Sequence, residues 1–384
     1  MRTYEKTHHW ITFQIDFRQL NHEHWLLLGE AYSKCTHIAG APLLPSVSEE
    51  LHQVYLAKGV HATTAIEGNS LSEEEVRRQI EGNLDLPPSK EYLRQEINNI
   101  LKGVNDIGDM ILEGGSAELS LDLINAYNKA VLLDLDLPEY AVPGEIGKVP
   151  VGAGRYKGAP WEECEYLMDR LCEWLNGPEW PTGQDKLVIY GILKAILAHV
   201  YIAWIHPYGD GNGRAARLVE FHILLSVGVP APAAHLLSNH YNETRNEYYR
   251  WLDHASKEND VFPFIQYALQ GFVDGLKEHI DTIQGFQLIA HWRNHIYNSF
   301  QDKEKPTDVR RRHLILDLSF AGKEGPFKTV ADFRHITPRM AEAYAGKTAK
   351  TIKRDLAELF RMDLLQRAES GGASNIPCRN SGCI

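Results

Sequence analysis

The segment His206-Pro207-Tyr208-Gly209-Asp210-Gly211-Asn212-Gly213-Arg214-Ala215-Ala216-Arg217 crowds an imidazole, a carboxylate, glycines and paired guanidiniums into one short stretch. Pro207 is expected to end the apolar helix before it, because the residue preceding a proline is pushed out of helical geometry. Glycines at every second position let the backbone turn so that successive N–H groups face one concavity, which suits an anion. A helix from Arg214 onward adds the positive end of its dipole. Arg214 and Arg217 are three residues apart, hence on one face of that helix. Loop amides, helix terminus and guanidiniums together form a cradle for a polyphosphate. Asp210 would repel phosphate there unless a divalent cation joins the two, and Mg²⁺ does this with few protein ligands. His206, at the mouth of the loop, has the ordinary pKa of a general base. The chemistry expected is phosphoryl or nucleotidyl transfer onto a hydroxyl.

The elements that must position this segment read as mainly α. Apolar residues recur at helical spacing over Glu49 to Ile66, Glu91 to Leu112, Leu119 to Leu133, Trp161 to Leu175, Leu187 to Ile205, Arg214 to Ser226, Glu243 to Ala255 and Phe262 to Arg293. Pro143 to Gly154, rich in Gly and Val, predicts a short hairpin instead.

The chain has 384 residues, 43% hydrophobic and 24% charged, which suits two or three folded units. No run of 18 uninterrupted apolar residues occurs, so no membrane contact is expected. The first residues lack the apolar core of a signal peptide, and Ser381 stands where a prenylation signal needs Cys. Five cysteines (Cys35, Cys164, Cys172, Cys378 and Cys383) without Cys-x-x-Cys spacing argue against a disulfide framework. A reduced, cytoplasmic protein is the expectation. The net charge of -11 argues against a surface that coats nucleic acid. Within 301–370, however, 15 Lys+Arg face 11 Asp+Glu, a net of +4, so a basic module follows a polar linker at 301–308. The stretch 371–384 is expected to be a disordered tail.

The segment His206 to Arg217 resembles the signature of the Fic (Fido) family, His-x-Phe-x-Asp/Glu-Gly-Asn-Gly-Arg-x-x-Arg, with Tyr208 in place of Phe. Aromatic packing survives that exchange, but a buried hydroxyl needs a partner. The resemblance implies a Fic helical core with a short β-hairpin flap. It also implies transfer of AMP from ATP, with Mg²⁺, to a Ser, Thr or Tyr hydroxyl of a target protein. Carried over by position, His206 is the base and Asp210 the metal ligand. Gly211, Asn212, Gly213 and Arg214 hold phosphates, and Arg217 pairs with the γ-phosphate. Thr63-Thr64-Ala65-Ile66-Glu67-Gly68-Asn69 is similar to the family's inhibitory element. A carboxylate at a helix C-terminus is poorly placed electrostatically and becomes sensible if Glu67 faces a buried arginine; the family implies Arg217.

The flap, taken as Glu145 to Gly154, would carry Val151 and Gly152 to the nucleotide and dock the target by main-chain pairing, with Pro150 removing one donor. The segment from Asn239 to Tyr249 resembles the helix under the nucleotide, with Tyr248 or Tyr249 able to stack on adenine, Tyr249 being the one taken as a site residue. The resulting organisation is 1–112 N-terminal helical region with the inhibitory helix, 113–300 Fic core, 301–370 winged-helix-like domain and 371–384 tail. In the 301–370 module, Phe327 to Phe333 would be a first helix and Gly346 to Leu356 a recognition helix, able to contact DNA or protein. A homodimer is the commonest assembly for such a chain. Two other readings are an enzyme removing AMP with Glu67 orienting a water, and a DNA-binding regulator sensing nucleotide through the Fic body.

Overall fold

The computed structural model describes residues 2–115, 118–154, 156–181, 183–321 and 332–365, and the chain divides into two compact units, Met1–Ile280 and Asp281–Ile384. The first unit begins with α1 (Tyr4–Thr7), α2 (His22–Gly40), α3 (Pro45–Ala65), α4 (Glu73–Ile80), α5 (Glu91–Leu112) and α6 (Leu121–Val131). A hairpin of β1 (Gly152–Ala153) and β2 (Tyr156–Lys157) follows. Then come α7 (Trp161–Leu175), α8 (Gln184–Ile205), α9 (Asn212–Ser226), α10 (Ala231–Ala234), α11 (Leu236–Glu243) and α12 (Arg245–Lys257). The division between units falls inside α13 (Phe262–Ser299), upstream of the polar stretch at 301–308.

Some helix starts carry side-chain caps. Asn21 accepts from the His24 amide, Ser120 from the Leu123 amide, and Ser72 with Glu75 forms a complete capping box. At the centre, α9 packs on α8, α6, α5 and α3. It is buried on every side from Arg214 to Leu224, as a core helix should be. Yet it carries Arg214, Arg217, Glu220 and His222 inward. Ionisable groups are taken into an interior only where partners or ligands hold them.

Leu187–Ile205 has a mean hydropathy of 1.8, the length and composition of a membrane span, which the absence of an uninterrupted apolar run concealed. Some 72% of that window is buried within the protein, so core packing accounts for it. The hairpin is displaced from its expected place. Only Gly152 and Ala153 of the Pro143–Gly154 stretch are strand; they pair antiparallel with Lys157 and Tyr156. Pro143 and Pro150 lack amide donors and Gly144 has a φ of +79°, so the upstream part forms turns. In the first unit, α1, α2, α4, α10 and all but the last residue of α11 stand outside the periodic segments read from the sequence.

The second unit holds α14 (Pro306–Ala321), α15 (Pro338–Ala343) and α16 (Ala349–Arg361) around Phe300, Leu314, Met340, Tyr344, Ile352 and Leu359. The helix expected over Phe327 to Phe333 falls largely outside the described residues. The one expected from Gly346 is α16, entered through Gly346 at φ +68° and Thr348. Its Lys350, Lys353 and Arg354 are exposed. Beneath it, the fully buried Asp355 accepts from Arg310 Nη2 at 2.7 Å, Arg311 Nε at 2.9 Å and the Tyr344 hydroxyl at 3.2 Å. Removing one member strands the others, so Asp355→Ala should destabilise this unit by about 3–5 kcal/mol, read by urea denaturation, while Arg361→Ala, on an exposed pair, should stay within about 1 kcal/mol.

Candidate active site

α8 ends at Ile205, and His206 turns into the left-handed region at φ 54° and ψ 56° while its amide still donates to Ile202 O at 2.9 Å. That conformation costs an L-residue about 1–2 kcal/mol, so its surroundings must hold it. Burial lowers the His206 pKa, against the opposing pull of the Ala203 backbone and of Glu67 and Asp210. The imidazole is therefore neutral at pH 7, the form that accepts a proton.

Beyond it the loop is pinned by amides and hydroxyls. Asn212 Oδ1 accepts from Tyr208 N at 2.9 Å while its Nδ2 donates to Tyr208 O at 2.7 Å. The ring of Tyr208 is buried, and its hydroxyl donates to Asn125 Oδ1 at 2.8 Å, which supplies the partner that a Phe would not need. Asn128, fully buried on α6, donates to Asp210 O at 2.9 Å and accepts from Gly144 N at 2.9 Å. Gly211 caps α9 at φ +75°, and no side chain caps this helix, so its first amides remain open to an anion.

Asp210 Oδ1 accepts from Arg214 Nη2 at 2.9 Å and also from the Gly211 amide. Arg214 Nη1 reaches Glu96 Oε1 at 3.3 Å, and Glu96 Oε2 in turn accepts from Asn69 Nδ2 at 2.8 Å. Arg217 is 2% exposed. Its Nη2 donates to Glu67 Oε1 at 2.6 Å and to Thr63 O at 2.9 Å. Its Nε and Nη1 have no hydrogen-bond partner among the described residues. Glu67 lies just past the end of α3, in the turn closed by Gly68 at φ +106°, rather than on the last helical turn. Its carboxylate comes so close to Gly213 that a Cβ there would collide with it. Burial alone would raise the pKa of Glu67, but Arg217, with Arg214 and Arg245, holds it below the ordinary carboxylate range.

Arg245, at the start of α12, donates to the carbonyls of Ala65 and Ile66. Cationic side chains thus answer the negative pole of α3. The flap is fastened to the loop: Tyr156 Oη donates to Trp204 O at 2.7 Å, Ala159 N to Ile205 O at 3.1 Å and Gly147 N to Pro207 O at 2.8 Å. Val151 uses its carbonyl on Gly158 N at 2.9 Å, and Gly152 is exposed. An open cleft of about 940 Å³, lined by His8, Trp10, Gly152, Tyr156 and Lys257 among others, runs along the hairpin. Tyr248 is buried, with its hydroxyl 2.9 Å from His199 Nε2, whereas Tyr249 is exposed and adds to the electrostatic field at Arg217.

Residues 118–224 match the family model described as Fic/DOC family. Residues 118–224 of this chain are thus a Fic domain. The protein adenylyltransferase fic-1 of Caenorhabditis elegans is 28% identical over 254 residues, 64% of this chain and 46% of that protein. The protein adenylyltransferase Fic of Nematostella vectensis is 26% identical over 220 residues, covering 54% and 45%. This chain thus spans less than half the length of these curated relatives. Among solved structures, a Fic family protein from Desulfovibrio desulfuricans aligns over 93% of this chain and 97% of its own at a TM-score of 0.54 and 19% identity. A fragment of C. elegans Fic-1, residues 134–508, aligns over 68% and 73% at a TM-score of 0.55 and 25% identity. The mainly helical architecture with one small hairpin is the Fic fold.

The Fic match contains the whole loop but neither Glu67 nor Tyr249, which the fold itself brings to it. Among residues that sequence reasoning passed over, Asn125, Asn128, Glu96 and Arg245 have no motif to mark them; each becomes visible only when the helices pack. Asn212→Ala should cost about 2–3 kcal/mol in thermal unfolding without nucleotide, because it strands the buried amide and carbonyl of Tyr208 together. Tyr208→Phe, which leaves only Asn125 unpaired, should cost about 1 kcal/mol.

Proposed function

We propose that this chain is a protein adenylyltransferase that moves AMP from ATP to a Ser, Thr or Tyr hydroxyl of a target protein, held back by Glu67. One observation carries the reading: Arg217 is buried with two of its nitrogens, Nε and Nη1, unpaired and the third, Nη2, held by the Glu67 carboxylate and Thr63 O, in the second turn of a core helix whose start is uncapped. Such a constellation stabilises an anion larger than a carboxylate, and a triphosphate supplies one. The relatives named as adenylyltransferases support the same reaction class.

In this reading the neutral His206 takes the proton of the acceptor hydroxyl, whose oxygen forms a bond to the α-phosphorus as the bond to pyrophosphate breaks. Backbone amides of Gly211, Asn212 and Gly213 serve the phosphates, since the Asn212 side chain is committed to the loop. Arg214 moves from Asp210 to phosphate, and Arg217 takes the γ-phosphate. Tyr249 is left to cover the base. Mg²⁺, when bound, supplies neutralisation of phosphate charge. Asp210, an accessible carboxylate beside the open start of α9, is the residue that would hold it. The cleft beside the hairpin is offered to the target segment; Gly158 of its lining packs closely on His206.

Glu67 competes because it neutralises Arg217 and stands over Gly213, where phosphate would lie. A preference of about 3 kcal/mol keeps the open state near one per cent, within what a partly buried pair can supply. Glu67→Gly with Mg²⁺ and α-labelled ATP should therefore incorporate AMP into itself or a partner at least tenfold faster than the unaltered chain. Adding His206→Ala should abolish it; His206-independent label, or none with either chain, refutes the assignment. AMP removal from pre-modified protein by the unaltered chain would instead favour the reverse reaction. Transfer by the Glu67→Gly chain needs neutral imidazole, so it should persist to pH values below the ordinary histidine range and fall as His206 takes up a proton.

A further inference from the structure

Beneath Arg217 lies a second carboxyl that the proposed chemistry leaves unused. Glu220 follows Arg217 by three residues on α9, so both side chains share one face of the helix. It is 1% exposed. Its Oε1 accepts from the Tyr241 hydroxyl of α11 at 3.0 Å, and its Oε2 faces His199 Nδ1 of α8 at 3.7 Å. His199 Nε2 meets the Tyr248 hydroxyl of α12 at 2.9 Å, and the Tyr241 and Tyr248 rings stack at 4.9 Å. Tyr267 of α13 backs the Tyr241 ring, and Glu67 reaches the cluster through Arg217 from the end of α3. Arg217 Nε and Nη1 and His199 Nδ1 are buried in this region without hydrogen-bond partners among the described residues.

Two carboxyls serve the Arg217 guanidinium, Glu220 from the interior and the partly exposed Glu67 from the other side, and one anion suffices to balance the cation. Burial raises the Glu220 pKa to about 8, against the Tyr241 bond and the Arg217 charge. His199 is held neutral by burial. While Glu67 is in place, the balanced arrangement is Glu67⁻, Arg217⁺ and neutral Glu220. Withdrawal of Glu67 leaves a buried, unopposed cation, which is costly.

We propose that Glu220 is a positioning residue for Arg217, a reserve counter-ion that ionises when Glu67 withdraws and takes the proton back when a triphosphate arrives. The idea rests on the reading that Arg217 receives the γ-phosphate. Opening releases one proton from Glu220 to solvent, and nucleotide binding returns one. Glu220 thereby keeps the guanidinium in the pocket during the empty interval, and it makes nucleotide binding proton-linked.

The test uses the full chain with Glu67→Gly, to remove the competing carboxylate, and His206→Ala, to stop turnover. Mg·ATP is titrated calorimetrically from pH 7 to 9 in buffers of different ionisation enthalpy, with and without Glu220→Gln. The chain with Glu220 should take up a proton on binding, and its Kd should rise by up to about tenfold per pH unit over part of that range. Glu220→Gln, whose amide oxygen can still accept from Tyr241, should lose both the uptake and the slope; titration of the nucleotide itself cancels in the comparison. Tyr241→Phe removes the donor that favours the Glu220 carboxylate and should move the midpoint to higher pH. Equal proton counts and slopes with Glu and Gln overturn the role of Glu220 and leave the nucleotide pocket standing. Should Glu220→Gln fail to fold, an unmoved midpoint in Tyr241→Phe overturns it equally. No binding by any folded chain refutes the pocket, and this inference with it.

Discussion

A guanidinium buried at the start of a core helix must have an anion, and much of the first unit is arranged around that need. Arg217 cannot reach water, and neutralising it by deprotonation is out of reach for an arginine. The interior therefore has to provide a carboxylate or admit one from outside. Here the end of α3 provides it: Glu67 is brought to Arg217 at 2.6 Å. The turn at Gly68, the two bonds from Asn69 Nδ2 to Leu93 O and Glu96, and the grip of Arg245 on the last carbonyls of α3 all fix where that carboxylate sits. Water is excluded from the Arg217 side of this pair but not from Glu67, whose side chain is one third exposed, so the pair is screened from one side only.

The loop before α9 meets a different constraint. It must present its amides to one side, yet it is laced by polar atoms that would be costly to leave unmet. Asn212, Asn128 and Asn125 meet them with side-chain amides, which can give and accept within one group. This division of labour leaves the helix amides free: every clamp acts on Tyr208, Asp210 O or Gly144 rather than on the open start of α9. The flap, tied to the carbonyls of Trp204, Ile205 and Pro207, is positioned by the same loop that it adjoins. His206, the start of α9 and the hairpin are thereby held together by hydrogen bonds.

This logic explains what could be read in the sequence. The loop was legible because its chemistry is local: glycine conformation, proline punctuation and helix spacing act over a dozen residues. The helices α5 and α7 match the periodic segments end to end, because their amphipathic patterns meet clear stop signals. The helix α2 went unread because its buried positions, Leu27, Leu28, Ala31, Cys35 and Ile38, alternate with exposed Trp25 and Leu26, which blur the stripe. The hairpin was misplaced because Val and Gly content mimics a strand, while the prolines that forbid pairing decide where it begins. Glu67 was found through motif resemblance, but Arg245, Glu96 and Glu220 lie on other helices, and nothing local distinguishes them from solvated charges.

The proposed inhibition and the stability of the unit draw on the same contact. If Glu67 were merely a plug, removing it would free the pocket at no structural expense. Because Arg217 is buried, removal instead forces its charge to be balanced by ionising the buried Glu220, which costs free energy, so an uninhibited chain should be a less stable one until nucleotide binds. A ligand that replaces the lost charge restores stability by mass action, about 2.7 kcal/mol at a hundredfold excess over its Kd. Restraint is thus not an addition to a finished active site. In the proposed reading, the start of α9 concentrates more positive charge than it can hold alone, and Glu67, just past the end of α3, balances it until a triphosphate takes its place.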